Sequence, residues 1–375
     1  MPAARPRASD AVGVGRLAVD ALLGLTDVVE SMHGTIASVS LPFGVAPKTR
    51  TRGLTRLVYQ AIRGVTGLIG GGIDLARAVA ITDREPGSPR RETLIAVLNG
   101  IVGDHLAATN NPLALPMALR VSDHPPTCRV AVFVHGLCAS PLHWKRNGHH
   151  HGELLASHGF TPVYASYNTG RHISTNGREL ANALEELVAS WPVPITQLVL
   201  IGHSLGGLTA RSACEVARRS EHRWLAQLTQ LVFLATPHHG APLERAGNLA
   251  AMLLELSPYA APIARIGSGR SAGITDLRFG NLLDEDWSTA DPFHREDPRT
   301  PLPLPAHVDC FAVAATRGRR GDGLVPVASA LGHHADPRFA LEFAQERQLV
   351  VDDCGHLDVL DNRVADQLAT WLRER

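Results

Sequence analysis

Residues 197–207 read Gln-Leu-Val-Leu-Ile-Gly-His-Ser-Leu-Gly-Gly (QLVLIGHSLGG). Gln197 to Ile201 is a short apolar run, Gly202-His203-Ser204-Leu205-Gly206 fits G-x-S-x-G, and Gly207 to Arg219 carries a helical pattern. A strand entering a tight bend that opens a helix is the context this pattern requires. The reason is steric. A serine on such a bend has a strained backbone, and small residues two before and two after it let neighbouring backbone pass close by. The hydroxyl is pushed out above the sheet at a helix N-terminus, where free N–H groups favour developing negative charge.

Outward from this stretch, other apolar runs repeat the strand pattern. They are Arg129 to Val134, Pro162 to Ser166, Leu231 to Ala235, Val308 to Ala314 and Leu349 to Val351. Continuous rather than alternating apolar strands imply burial on both faces, as in a parallel sheet. Helical patterns at Arg178 to Ser190, Gly207 to Arg219 and Asn362 to Arg373 fall between or after them. Strands alternating with helices predict an open α/β sheet whose ligands sit at the carboxyl ends of the strands. The longest uncharged run, Leu187 to Ala210, contains Pro192, Pro194, Gln197, His203 and Ser204. It reads as a helix end, a turn, a buried strand and a bend rather than a membrane span.

Composition narrows the function classes. The 375 residues hold 36 basic and 36 acidic side chains, so the formal charge is zero, which argues against a nucleic-acid binder. Apolar residues make up 45% and charged residues 19%, enough to build a core and exclude disorder of the whole chain. The five cysteines are scattered and form no CxxC pair, so neither a zinc ribbon nor a disulfide framework is expected. No dinucleotide fingerprint is present, so no redox cofactor is implied. Met1 to Arg7 carries two arginines but no compact apolar core follows, and a cytoplasmic start is the expectation.

Residues 1–120 differ from the rest. Leu54, Leu57, Val58, Ala61, Ile62, Val65, Leu68 and Ile69 follow the spacing of one helix face, with Arg52, Arg56 and Arg63 off it. Val12 to Glu30 is a weaker helical stretch. Two readings stand. These helices pack on the following domain, or they form a lid or a peripheral contact with a lipid surface.

On the HGL string at 135–137 and the GHSLGG string at 202–207, the chain resembles the α/β-hydrolase family, within it the bacterial lipases and PGAP1-like serine esterases. The resemblance covers about 128–375. It implies a mostly parallel sheet flanked by helices, an oxyanion hole, and a triad in the chain order serine, acid, histidine. The predicted organisation is a helical N-terminal region at 1–120 and a hydrolase domain at 121–375, with a cap-like insertion at about 238–305.

A serine hydroxyl needs a base to remove its proton. His356, in Asp353-Cys354-Gly355-His356-Leu357, follows the last strand candidate and matches the family's position. His333 and His334 compete, without a strand immediately before them. For the acid, Asp322 lies in Gly321-Asp322-Gly323-Leu324-Val325-Pro326, similar to the family's acid loop, with glycines that permit the turn. Asp309 sits within a strand, and Asp352 and Asp353 are too close to His356 in sequence. The family takes its oxyanion donors from the backbone N–H after the HG pair, here Leu137, and after the nucleophile, here Leu205. Replacing either leucine by alanine should then be mild. His135, Gly136 and His203 are the substrate-binding candidates, although the position of His203 is structural in the family. Cys138 reads as a small buried loop residue.

His149-His150-His151 invites a metal reading, but consecutive side chains do not converge on one ion from a regular element. His238 and His239, in a TPHHG string, line the site wall in the family. Lipases of this type hold calcium through an aspartate two residues after the histidine, which makes Asp358 a calcium candidate. Calcium needs six or more oxygen ligands, and no second aspartate stands out.

Between the fourth and fifth strands, Pro237 to Pro305 is too long for a plain connection. Leu249, Met252, Leu253, Leu256 and Tyr259 form an apolar helical stripe, which either caps the site and favours an acyl chain or packs on the sheet. The resulting expectation is a serine carboxylic-ester hydrolase acting on a small-molecule or lipid ester. An acyltransferase or thioesterase with the same triad, and a non-catalytic lipid-surface protein, are the alternatives.

Overall fold

The computed structural model describes residues 12–20, 89–241, 271–288, 297, 299–318 and 321–373. The chain divides into two compact units, Met1–Ser88 with Leu106–Ala114, and Pro89–His105 with Leu115–Arg375. The units do not part at 120: Pro89–His105 and the residues from Leu115 onward fall in the second unit. In the first unit residues 12–20 are helical, and Asn111 Nδ2 donates to the Gly13 carbonyl at 3.1 Å. The expected helix over 54–69 and the stripe from Leu249 to Tyr259 lie outside the described residues.

The second unit holds a sheet of seven strands among the described residues. They are β1 (Ala118–Val121), β2 (Arg129–Val134), β3 (Thr161–Ser166), β4 (Gln197–His203), β5 (Leu228–Leu234), β6 (Asp309–Thr316) and β7 (Gln348–Asp352). Their order is β1-β3-β2-β4-β5-β6-β7, with β1 antiparallel to β3 and every other pair parallel.

Side chains alternate across each strand, and both faces are covered. Val130, Val132 and Val134 point into one core with Leu198 and Leu200, while Ala131 and Phe133 point into the other with Val199 and Ile201. The strands therefore read as unbroken apolar runs. The first face is covered by helices α3 (Ile173–Ser190) and α4 (Leu205–Arg219), through Leu180, Leu184, Leu208 and Ala213. The second is covered by α2 (His151–Ser157) and α5 (Ala365–Arg373), through Leu155, Leu368 and Trp371. Each large apolar side chain so buried contributes about 1.5–3 kcal/mol.

Helix α2, strand β1 and one further helix had no counterpart in the sequence reading. Strand β1 has only four residues and is half exposed at the sheet edge, so it leaves little pattern. Helix α1 (Pro89–Ala108) mixes apolar residues with Glu92, Asn99, Asp104 and His105 and so has no single apolar face, and it departs from helical geometry at Val102. Helix α3 also starts five residues earlier than its periodicity suggests. Its Ile173 N–H donates to Asp276 Oδ2 at 2.8 Å, a partner supplied by the short helix Ala272–Asp276. Among the described residues, no helix is long and apolar enough to cross a membrane.

The topology fixes where chemistry can happen. From β2 the chain crosses to β3 on one side and then to β4 on the other. The carboxyl ends of β2 and β4 therefore flank the point where the winding reverses, the usual crevice for a ligand in an open α/β sheet. His135-Gly136-Leu137 leaves β2 there, and Ser204 leaves β4.

Candidate active site

Ser204 sits between β4 and α4 with φ 53° and ψ −126°, a backbone that L-residues avoid. The surrounding contacts hold it there. Its N–H donates to Leu234 O at 2.9 Å, and its carbonyl accepts from Gly207 N–H at 3.0 Å. The flanking glycines are required by space. A Cβ on Gly202 would lie 2.5 Å from Gly207 Cα, and one on Gly206 would lie 2.1 Å from Val134 O.

His356 follows β7 in a loop pinned by Cys354 N–H to Thr316 O at 3.1 Å. Its Nε2 accepts from Ser204 Oγ at 2.9 Å, and its Nδ1 donates to Asp322 Oδ2 at 2.7 Å. Asp322, in the loop after β6, uses its other oxygen locally, accepting from Leu324 N–H at 2.8 Å and Val325 N–H at 2.7 Å. That division of labour orients the carboxylate toward the imidazole. Ser204, Asp322 and His356 are all buried, at 7%, 4% and 3% exposure, so little water competes for these bonds.

The loop after β2 presses on the serine. A Cβ on Gly136 would meet Ser204 Cβ at 3.0 Å and His203 Nδ1 at 3.1 Å. Neither Leu137 N–H nor Leu205 N–H has an acceptor among the described residues. Leu205 opens α4, where the first N–H groups have no intrahelical partner.

The other candidates fall into supporting places. His135 is buried, its Nδ1 donates to Gly136 O at 3.0 Å, and burial lowers its pKa to about 3. Tyr167 stacks on its ring and donates to its carbonyl at 2.6 Å. His203 donates from Nε2 to His356 O at 3.0 Å, and burial followed by the nearby His356 holds its pKa well below the usual imidazole value. Each ring thus makes a hydrogen bond to a loop carbonyl beside the serine. Gly136 brings backbone, not a side chain, to the serine.

His149 and His151 contact each other at 3.1 Å, and His151 Nε2 donates to Val359 O at 3.3 Å. No group of three or more potential metal ligands occurs among the described residues. His238 is buried between Arg211, 3.3 Å from its Nδ1, and Arg299, whose Nη1 donates to its carbonyl at 2.9 Å. His334 packs on Phe339 and His239, and Asp309 pairs with Arg347 at 2.9 Å.

Asp358, the calcium candidate, is engaged by groups of the protein itself. Its Oδ1 receives Arg146 at 3.2 Å, and its Oδ2 receives Arg317 at 3.1 Å and Gly355 N–H at 2.8 Å. Two guanidiniums and an N–H already satisfy this carboxylate, and two cations beside it oppose a third. Burial alone would raise its pKa, but the Gly355 N–H and both arginines outweigh that and lower it. Sequence reasoning missed Arg146 and Arg317. They lie 212 and 41 positions from Asp358, and no local pattern marks them.

Residues 126–264 match the family described as "Putative serine esterase (DUF676)". No curated protein matches the chain. Among solved structures, the mature Bacillus licheniformis lipase BlEst2 is 19% identical with a TM-score of 0.45, covering 69% of this chain and 98% of that one. The Pyrococcus furiosus esterase Pf2001 is 13% identical with a TM-score of 0.41, covering 66% and 81%. A lipase-esterase related protein from Clostridium acetobutylicum is 12% identical with a TM-score of 0.39, covering 69% and 99%. With a serine-esterase segment that spans the β2 loop and the serine bend, on a mostly parallel sheet flanked by helices, the chain is a serine ester hydrolase.

Proposed function

We propose that the protein cleaves carboxylic esters with an apolar acyl group through an acyl-enzyme on Ser204. The observation that carries this reading is the buried hydrogen-bonded chain from Ser204 through His356 to Asp322, at 2.9 and 2.7 Å. Ser204 Oγ attacks the ester carbonyl as its proton passes to His356 Nε2. Asp322 holds the imidazole in the tautomer with its lone pair toward the serine, and stabilises the imidazolium that forms. The tetrahedral oxyanion is received by the Leu137 and Leu205 N–H groups. The alcohol leaves with the proton from His356. Water then gives a proton to His356, attacks the acyl carbon, and releases the acid as the proton returns to Ser204. The apolar preference rests on the stripe from Leu249 to Tyr259 in the long insertion.

The test is turnover of a p-nitrophenyl ester series from acetate to palmitate, with wild type and Ser204→Ala, alongside labelling by a fluorophosphonate probe. The expected result is labelling and turnover in wild type, both abolished in Ser204→Ala, with a maximum above C2. Wild type that neither turns over any ester nor takes the probe would overturn the reading. A maximum at acetate would overturn the apolar preference alone.

A further inference from the structure

The turn carrying Leu137 has an unusual residue at its tightest point. Gly136–Ala139 closes through Ala139 N–H to Gly136 O at 3.2 Å, and Cys138, third in the turn, has φ +59°. Glycine is the ordinary occupant of such a position. Cys138 is fully buried, and its side chain enters a notch in α1. Its thiol reaches Val97 O at 3.8 Å, and a Cβ on Gly100 would lie 2.1 Å from its Sγ and 2.9 Å from its Cα and N.

Helix α1 is itself anchored around its break at Val102. Ser271 Oγ donates to Gly100 O at 2.7 Å, and Asn168 Nδ2 donates to Gly103 O at 2.7 Å. Gly103 leaves room for this, since a Cβ there would lie 1.8 Å from Asn168 Oδ1. The loop that contains Asn168 also holds the turn, through Thr169 Oγ1, which accepts from Cys138 N–H at 3.1 Å.

We infer that helix α1 is a positioning element of the oxyanion site, with Gly100 receiving Cys138 and so fixing the Leu137 N–H. The inference rests on the reading of that N–H as an oxyanion donor. A turn in a disfavoured conformation relaxes unless its surroundings over-determine it. Here the surroundings are a side chain plugged into a helix whose backbone is exposed by two glycines. A misplacement of about 1 Å at such a donor can cost about 100-fold in rate without touching substrate binding.

The experiment compares wild type with Gly100→Ala, which fills the notch, and Cys138→Gly, which removes the plug while suiting the positive φ. Each is measured for kcat and KM on the best p-nitrophenyl ester, for Ki of a trifluoromethyl ketone that must place an oxyanion, and for Tm. The expected result is a kcat loss of about 100-fold in Gly100→Ala and about tenfold in Cys138→Gly. KM should stay within about threefold, and Ki should rise in step with the loss of kcat/KM. Folded variants with wild-type kcat and Ki would overturn the inference. If Gly100→Ala does not fold, Cys138→Gly decides alone. An inactive, unlabelled wild type would instead overturn the esterase reading, and this inference with it.

Discussion

Ser204 Oγ and His356 Nε2 stand 2.9 Å apart although 152 positions of sequence separate them. The contact is made because the parallel strands β4 and β7 deliver their carboxyl ends to the same end of the sheet. On the other nitrogen Asp322 Oδ2 lies 2.7 Å from Nδ1, and the proposed mechanism has it fix which tautomer faces the serine. Asp322→Asn is expected to lower kcat about 10⁴-fold, because an amide can donate to Nδ1 and stabilise the wrong tautomer. KM should change little. Steady-state kinetics checks this, and a loss of under tenfold would remove Asp322 from the triad.

Asp358 ties the histidine loop to Arg146 and Arg317 and closes the loop onto Gly355 N–H. Asp358→Ala is expected to cost about 1–3 kcal/mol of stability, since a partly buried N–H and two cations lose their acceptor. Exhaustive EDTA treatment should leave the ester hydrolysis rate of wild type unchanged. A rate that falls with chelation and returns with calcium would show that the arginines do not replace a metal.

The leucines proposed as oxyanion donors act through backbone, but the structure gives their side chains a second task. Leu137 and Leu205 both lie in the core, at 3% and 0% exposure. Replacement by alanine is therefore not mild for stability, as a reading from the backbone donor alone suggests. Each should cost about 2–5 kcal/mol. The kcat of the molecules that remain folded should stay within about threefold of wild type, because the N–H is kept. Denaturant titration alongside active-site-titrated kinetics separates the two effects.

Gly206 lies against the Val134 carbonyl, and backbone there cannot rotate aside as a side chain could. Gly206→Ala is expected to destabilise by about 1–3 kcal/mol or more through overpacking. Its fluorophosphonate labelling should slow as well, because relief requires a shift of the serine bend. Unchanged Tm and labelling would show that the close approach is dispensable.

Acid should unfold the protein steeply. Burial is the largest cause of a lowered pKa at His135 and His151, each to about 3, and at His203 and His238, each well below the ordinary imidazole value. In the unfolded chain all four regain a pKa of about 6.5. Above that pH both states are neutral at these sites and the stability is fully present. As pH falls below it, the unfolded state takes up protons that the folded state refuses. Each histidine then removes about 1.4 kcal/mol per pH unit, until its folded pKa is reached. Urea titrations from pH 7 to pH 5 should show this slope, and His151→Gln should make it shallower by about one histidine's share.

The sequence by itself determined the layers and the chemistry near the serine. Apolar runs that do not alternate meant a sheet buried on both faces, and QLVLIGHSLGG specified strand, bend and helix because only small residues fit positions 202, 206 and 207. Ser204, Asp322 and His356 were legible because each lies in a short string whose neighbours dictate its turn. What only the tertiary structure decided is what depends on distant partners. Asp358 carries the position of a calcium ligand, yet Arg146 and Arg317 occupy its oxygens. His203 has the chemistry of a substrate-facing group, yet its ring is spent on the His356 carbonyl. Helix α1 has no single apolar face, and what it receives is decided by Cys138 at Gly100 and Asn168 at Gly103. Local sequence encodes backbone preference over a few residues. Which charge meets which, and which glycine receives which side chain, is set only when segments far apart in the chain pack together.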